Sequence, residues 1–134
     1  MTDMTAIQAS GLWSGLLLLV LIVLSANVVI GRNRHRVLLG DGGVEPMNVA
    51  VRAFGNAAEY IPVGIGALIV MALLGAPVWL IHVVGGLLFA GRAVHPFGLS
   101  TTGRPKPARL VGMVLTYVAL VTAAIDLIVR SLSG

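Results

Sequence analysis

The chain has 134 residues, of which 57% are hydrophobic and only 10% are charged, and its formal net charge is +4. Because a soluble globular domain carries roughly a quarter charged residues, the composition excludes a soluble protein and predicts an all-α integral membrane protein. Nucleic-acid binding is not expected either, since it needs stacking aromatics beside the basic residues and only 5% of the residues are aromatic. The length allows four spans of about 20 residues in a single domain over 1–134.

The first apolar run covers residues 7–30, and we predict an uncleaved helix over 7–31. A signal peptide is the competing interpretation, but the first residues carry no Lys or Arg and the run is longer than a typical signal-peptide core. A basic cluster follows at once, namely Arg32, Arg34, His35 and Arg36. The stretch 39–46 (LGDGGVEP) is the clearest turn in the chain, because its glycines and Asp41 favour turns and Pro46 suits the first turn of a helix.

Three further apolar runs predict helices over residues 47–74, 78–95 and 108–132. Pro62 lies inside the second run and is expected to kink its helix. The basic residues collect in the first and third connectors, whereas the second connector, 75–77, has no charge. The positive-inside rule therefore places the first and third connectors in the cytoplasm and both termini on the periplasmic side.

Three polar side chains interrupt the second apolar run. Arg52, Asn56 and Glu59 fall at i, i+4 and i+7, so they share one face of a helix. Ionisable groups in a membrane-spanning helix are expensive and almost always face a bundle interior or a water-filled cavity. This face therefore predicts a ligand site or, alternatively, a bundle-stabilising network in which Arg52 and Glu59 neutralise one another or a neighbour.

The predicted helix directions bring further basic side chains to the cytoplasmic level of this face. The expected cluster consists of Arg32, Arg52, Arg92, His95 and Arg109, with Asn56 and Glu59 beneath it. Arginine binds carboxylates through two parallel hydrogen bonds, so the cluster suits a small anionic ligand that enters from the cytoplasm. Two alternatives stay open: Arg32 and Arg109 as ligands of membrane-lipid headgroups, and His95 as an interfacial histidine without a ligand.

The remaining polar residues predict structural roles. His82 lies at the opposite end of the bundle, where we expect it to be structural, and Asp126 with Arg130 forms an i,i+4 pair. No set of His and carboxylate residues has metal-ligand spacing, so no metal is expected. The absence of cysteine excludes disulfides, thiolate metal sites and a cysteine nucleophile.

The pattern R-A-x-x-N-x-x-E-Y-x-P over Arg52–Pro62, together with four short spans, resembles the MAPEG family, the membrane-associated proteins in eicosanoid and glutathione metabolism. The L-G-D-G-G turn and the G-R-x-x-H stretch, which contains Gly91, Arg92 and His95, look closest to its small bacterial inner-membrane branch. The resemblance covers nearly the whole chain. It implies a homotrimer of four-helix subunits, with glutathione bound between neighbouring subunits near the cytoplasmic face.

By this resemblance, Arg52, Asn56 and Glu59 match the residues that hold glutathione, and Arg32 resembles the basic residue that ends helix one. Arg109 resembles the arginine that stabilises the thiolate, with Arg104 as the alternative. Glutathione would supply the thiol that the chain lacks. A free thiol has a pKa of about 8.5, and an adjacent arginine favours the reactive thiolate, which would attack an electrophile dissolved in the bilayer.

The chain also departs from the conjugating relatives. These usually place tyrosines late in helix three, where this chain has His95, Phe97 and Leu99, and a polar residue where it has Phe54. Two hypotheses follow: a glutathione-dependent transferase or peroxidase acting on lipophilic electrophiles, and a non-catalytic binding or scaffold protein with the same fold. A small proton-coupled exporter is a third, although such proteins usually carry their membrane-embedded glutamate in the first helix, without a nearby arginine.

Overall fold

The computed structural model describes residues 4–99 and 106–133, and these are helical apart from the connectors. The helices are α1 (Ala6–His35), α2 (Glu45–Leu73), α3 (Val78–Val94) and α4 (Pro107–Ser133), with a 3₁₀ turn (His95–Gly98) after α3. All four are long and apolar enough to cross a membrane, α3 together with its 3₁₀ turn. The predicted all-α bundle of four transmembrane helices is therefore confirmed. The largest difference in bounds is at the basic cluster, which continues α1 to His35 instead of ending it at 31.

The ends of α1 follow from local side-chain and backbone chemistry. At the start, the Thr5 hydroxyl accepts from the Gln8 backbone N–H at 3.3 Å, and the Gln8 side chain accepts from the Thr5 N–H at 2.9 Å. This reciprocal pair is a capping box, which satisfies N–H groups that have no partner within the helix. At the other end Arg36 adopts φ 57°, and Gly40 in the following turn adopts φ 63°, a conformation that glycine tolerates best. The predicted turn after α1 is thus confirmed.

The core of the bundle is apolar and narrow. Helix α1 packs mainly on α2, and α3 packs mainly on α4, with smaller contacts between the two pairs. Fully buried side chains from three of the helices fill the centre, among them Leu17, Ile61, Leu68, Met71, Ile81 and Leu88. Many large apolar side chains point outwards instead, as expected where the outer surface meets lipid.

Two glycines bring α3 and α4 into close contact. A Cβ atom added at Gly91 would lie 2.6 Å from the Thr116 hydroxyl oxygen and 2.8 Å from the Gly112 carbonyl oxygen. A Cβ atom at Gly112 would in turn lie 2.8 Å from the Gly91 carbonyl oxygen. Small residues at such a crossing let helix backbones approach closely in a membrane. The crossing fixes which face of α3 meets α4, and the next residue, Arg92, is directed into that contact.

The end of the bundle near the start of α3 carries structural polar contacts. The Trp13 indole N–H donates to His82 Nδ1 at 3.1 Å. Arg130 pairs with Asp126, with Nε 2.8 Å from Oδ1, and also donates from Nη1 to the Gly75 carbonyl at 3.1 Å. The predicted i,i+4 pair is therefore confirmed, and it ties α4 to the connector between α2 and α3.

Candidate functional site

A polar cleft of about 350 Å³ opens where α2 and α4 begin and α3 ends. Its lining residues come from α2, from the segment after α3 and from α4: Asn48, Val49, Arg52, Asn56, His95, Leu99, Arg109 and Met113. Four predicted site residues are among them, so the structure brings together Arg52, Asn56, His95 and Arg109. The described lining residues include two arginines and no carboxylate, which favours an anionic ligand.

Helix geometry explains why these residues meet. Asn48, Arg52 and Asn56 are spaced by four, so they form one row along α2. Arg109 and Met113 form a matching row at the start of α4. The 3₁₀ turn between α3 and α4 packs against α4 and supplies His95, whose side chain is buried. The cleft is therefore built from the first four turns of α2, the start of α4 and the 3₁₀ segment that follows α3.

Arg92 lies behind the cleft and is 1% exposed. Its Nη1 donates to Asn56 Oδ1 at 2.6 Å and its Nε donates to the Thr116 hydroxyl at 2.9 Å. A longer contact joins Nη2 to the Gly112 carbonyl oxygen at 3.4 Å. None of these partners carries a negative charge. Because arginine is not deprotonated in proteins, its positive charge is not neutralised by them. Arg92 therefore adds to the positive potential of the cleft without lining it.

The bond from Arg92 also sets the orientation of Asn56. A guanidinium is a donor only, so the Asn56 atom that it contacts is the amide oxygen. The amide N–H groups of Asn56 are then left to donate elsewhere, and this residue lines the cleft. Asn56 thus presents a hydrogen-bond donor to a ligand, which again suits an anion.

The other predicted site residues lie outside this lining. Arg32 donates to the Gly40 carbonyl from Nε and Nη2, at 3.4 and 3.3 Å, and so holds the connector between α1 and α2. Glu59 is exposed on the outer side of α2. Across residues 4–99 and 106–133 the single ion pair is Asp126–Arg130, so Arg52 and Glu59 do not neutralise each other within one chain. Arg104 lies outside the described residues.

The connector between α1 and α2 is also tied to the cleft through Asn48. The Asn48 side-chain amide donates to Asp41 Oδ2 at 2.7 Å, and the Gly43 backbone N–H donates to Asp41 Oδ1 at 2.9 Å. Both bonds favour the ionised carboxylate, and together they lower the pKa of Asp41, the Gly43 bond more than the Asn48 bond. The turn therefore holds one residue of the cleft rim in place.

Sequence reasoning did not identify a tyrosine pair beside this site. The hydroxyl oxygens of Tyr60 and Tyr117 are 3.1 Å apart, and their rings meet edge to face at 6.1 Å. The Arg92 guanidinium carbon lies 4.9 Å from the centre of the Tyr60 ring. The residues are 57 positions apart in the chain, so only the packing of α2 on α4 reveals the pair. The one local signal in the sequence was the spacing of four from Asn56 to Tyr60, which places Tyr60 on the same face of α2.

Comparison with known proteins identifies the relatives of this chain. The sequence profile of the MAPEG family matches residues 10–129, a span that includes every lining residue of the cleft. The chain is 41% identical over 91 residues to the inner membrane protein YecN of Escherichia coli K12, covering 68% of this chain and 70% of that protein. YecN of Escherichia coli O6:H1 matches equally well. No solved structure matches the chain.

The family profile covers most of all four helices, and the R-A-x-x-N-x-x-E-Y-x-P pattern of α2 lies inside it. Two relatives share 41% identity with the chain over about two thirds of its length. The protein therefore belongs to the MAPEG family.

Proposed function

We propose that this protein is a glutathione-dependent transferase or peroxidase of the bacterial inner membrane that acts on lipophilic electrophiles. One observation carries the proposal: the cleft is lined by Arg52 and Arg109 and backed by the buried Arg92, and none of its described lining residues is a carboxylate. Glutathione has two carboxylates and one ammonium group and is a net anion at neutral pH. The volume of the cleft, about 350 Å³, also suits a small molecule, because such sites start at roughly 300 Å³.

The cleft residues have distinct roles in this proposal. Arg52 and the amide N–H groups of Asn56 bind the carboxylates of glutathione. Arg109, at the start of α4, stabilises the thiolate, because a nearby positive charge lowers the pKa of a thiol from about 8.5. The thiolate then attacks an electrophile that reaches it from the bilayer. This assignment keeps the co-substrate at the aqueous end and the lipophilic substrate at the lipid side.

A homotrimer is part of the proposal, and Glu59 supports it. This carboxylate is exposed 14 residues after the start of α2, so it lies about 21 Å along the helix, near the middle of a bilayer. Contact with lipid would be expensive for an ionised side chain. A neighbouring subunit that covers this face of α2 would remove the contact of Glu59 with lipid and would complete the site between subunits. In this arrangement the basic connectors are cytoplasmic and both termini are periplasmic.

Calorimetric titration of the detergent-purified protein with glutathione tests the proposal. Wild type is expected to bind in the micromolar to millimolar range. Arg52→Ala should weaken binding about 10-fold to 100-fold, since a charge-assisted hydrogen bond contributes about 1.5–3 kcal/mol. Arg34→Ala is the matched control, because Arg34 is an exposed arginine at the same end of the bundle outside this cleft. Absence of binding by wild type at millimolar glutathione contradicts the proposal.

A second candidate function is that of a non-catalytic binding protein. It is favoured by His95 and Leu99, which line the cleft where the conjugating relatives usually have tyrosines. The two functions differ in one measurement, turnover of a lipophilic electrophile by protein that has been shown to bind glutathione. Binding without turnover over the uncatalysed rate selects the second candidate.

A further inference from the structure

The tyrosine pair lies directly below the cleft. Tyr60 follows Asn56 by four residues on α2, and Tyr117 follows Met113 by four residues on α4. Residues at this spacing are neighbours on one helix face, about 6 Å apart along the axis. Asn56 and Met113 line the cleft. The pair therefore continues the same groove between α2 and α4 by one turn towards the middle of the bilayer.

One hydroxyl hydrogen of the pair has no acceptor in the described chain. When two hydroxyls bond to each other, one donates and the other keeps its own hydrogen. The hydrogen bonds found over 4–99 and 106–133 give neither Tyr60 nor Tyr117 a second partner. At this depth the bilayer offers no water, and a donor without a partner there costs free energy. One hydroxyl of the pair can therefore donate a hydrogen bond to an acceptor that the described residues do not supply.

Tyr117 is the better placed of the two donors. It is 51% exposed, whereas Tyr60 is half-buried against α4 and carries the Arg92 guanidinium over its ring. Val114 and Val121, one turn to either side of Tyr117 on α4, are exposed and apolar. A molecule that accepts a hydrogen bond from Tyr117 is therefore surrounded by apolar side chains, as a lipophilic compound requires.

We propose that Tyr117 donates a hydrogen bond to the carbonyl oxygen of a lipophilic α,β-unsaturated carbonyl compound, which is the electrophile of this site. The inference rests on the proposed function for its reaction step. With the oxygen on Tyr117, the electrophilic β-carbon, two bonds from the carbonyl carbon, can point up towards the cleft floor. The thiol of glutathione would lie on that side.

The reaction step is an addition. The thiolate attacks the β-carbon, a C–S bond forms, the C=C π bond breaks, and the electron pair moves to the carbonyl oxygen as an enolate. The Tyr117 hydroxyl stabilises that oxyanion. The α-carbon then takes a proton from water in the polar cleft one turn above, which balances the proton that the thiol lost on forming the thiolate. The net change is addition of S–H across the double bond, so no oxidant or reductant is required. Donors aimed at a developing oxyanion are among the largest contributions to catalysis.

A binding experiment tests the donor without glutathione. The probe is an unreactive saturated long-chain ketone with an isotope-labelled carbonyl, added to the detergent-purified protein and followed by infrared difference spectroscopy. We expect the carbonyl stretch to move to lower frequency in wild type and to return to its free position in Tyr117→Phe. Thr122→Val is the matched control, because that α4 hydroxyl bonds only locally, to the Val118 carbonyl at 2.7 Å. An identical band in wild type and Tyr117→Phe overturns the inference.

A kinetic experiment tests the substrate class. For a long-chain enone, Tyr117→Phe should lower kcat/KM about 100-fold, the usual loss on removing one oxyanion donor. For an alkyl iodide of the same chain length, which has no oxygen to accept the bond, kcat/KM should change less than about 3-fold. Equal losses for both substrates overturn the role of Tyr117 as an oxyanion donor.

The two proposals fail in different ways. If wild type binds no glutathione, the proposed function fails, while the ketone spectrum still decides whether Tyr117 binds a carbonyl. If Tyr117→Phe instead dissociates the oligomer and leaves the ketone band unchanged, the acceptor of its hydrogen bond is a second copy of the chain, and the substrate inference is wrong.

Discussion

The two ends of the bundle use their ionisable side chains differently. At the end near the start of α3, His82 accepts from Trp13, and Asp126 pairs with Arg130. At the cleft end, Arg92 is bonded to neutral groups, and neither Arg52 nor Arg109 forms an ion pair with any described residue. Polar groups whose partners are all in the same chain stabilise the fold. Positive charges that lack such partners at one cleft are better explained by a ligand.

Among the changes considered, we expect the largest loss of stability at the crossing of α3 and α4, which directs Arg92 into the site. Gly91→Ala places a Cβ atom 2.6 Å from the Thr116 hydroxyl and 2.8 Å from a backbone carbonyl. Overpacking of this kind costs about 1–3 kcal/mol, and we expect a clear fall in the thermal unfolding temperature in detergent. Gly66→Ala on α2 is the control, because an added Cβ there meets nothing within 4 Å. Equal shifts of the unfolding temperature for the two variants would contradict close packing of α3 on α4 at Gly91.

Asn56→Asp would give the buried Arg92 an ion-pair partner at the cleft end of the bundle. The new carboxylate would meet the Arg92 Nη1 that now contacts Asn56 Oδ1 at 2.6 Å, and it would remove the amide donor. We expect higher thermal stability together with about 10-fold weaker glutathione binding, or about 1.4 kcal/mol. Asn56→Gln keeps the amide and serves as the control. Tighter binding by Asn56→Asp would show that the cleft does not select for anions.

Arg130→Ala tests the structural role of the ionisable residues at the end of the bundle opposite the cleft. The pair with Asp126 is partly exposed, so its loss should cost about 1 kcal/mol or less of stability. Glutathione affinity should stay within about 2-fold of wild type, because Arg130 lies at the opposite end of the bundle from the cleft. Thermal unfolding and calorimetry on the same sample measure both values. A large loss of affinity would refute the division of roles between the two ends.

The smallest expected effect concerns the connector between α1 and α2. Because its bonds lower the pKa of Asp41, ionised Asp41 stabilises the fold above the ordinary carboxyl pKa of about 3.9. That contribution is lost as the pH falls through the lower pKa of the folded state. Asp41→Asn should therefore unfold slightly below wild type at pH 7, and the difference should vanish in acid. A difference that persists in acid would mean that ionisation of Asp41 is not its cause.

The sequence predicted the helices well because apolar runs bounded by basic or glycine-rich connectors are a local signal. It also placed Arg52 and Asn56 on one face, since their spacing by four depends on one helix alone. It did not predict that Arg92 lies behind Asn56, or that Tyr60 meets Tyr117. Both depend on which faces of different helices meet, and for α3 the Gly91–Gly112 crossing decides this. Glu59, expected beneath the cluster, is exposed because one chain does not cover that face of α2.

The role of the positive charge in the cleft can be tested on the unmodified protein with two ligands that differ in charge. Calorimetric titration with glutathione and with its diester, in which both carboxylates are esterified, changes the charge of the ligand and leaves the protein intact. Because Arg52, Arg109 and the buried Arg92 are proposed to attract an anion, the diester should bind about 100-fold more weakly, or about 2.7 kcal/mol. Equal affinities for the two ligands would contradict the proposal that this cleft binds glutathione through positive charges that have no ion-pair partner among the described residues.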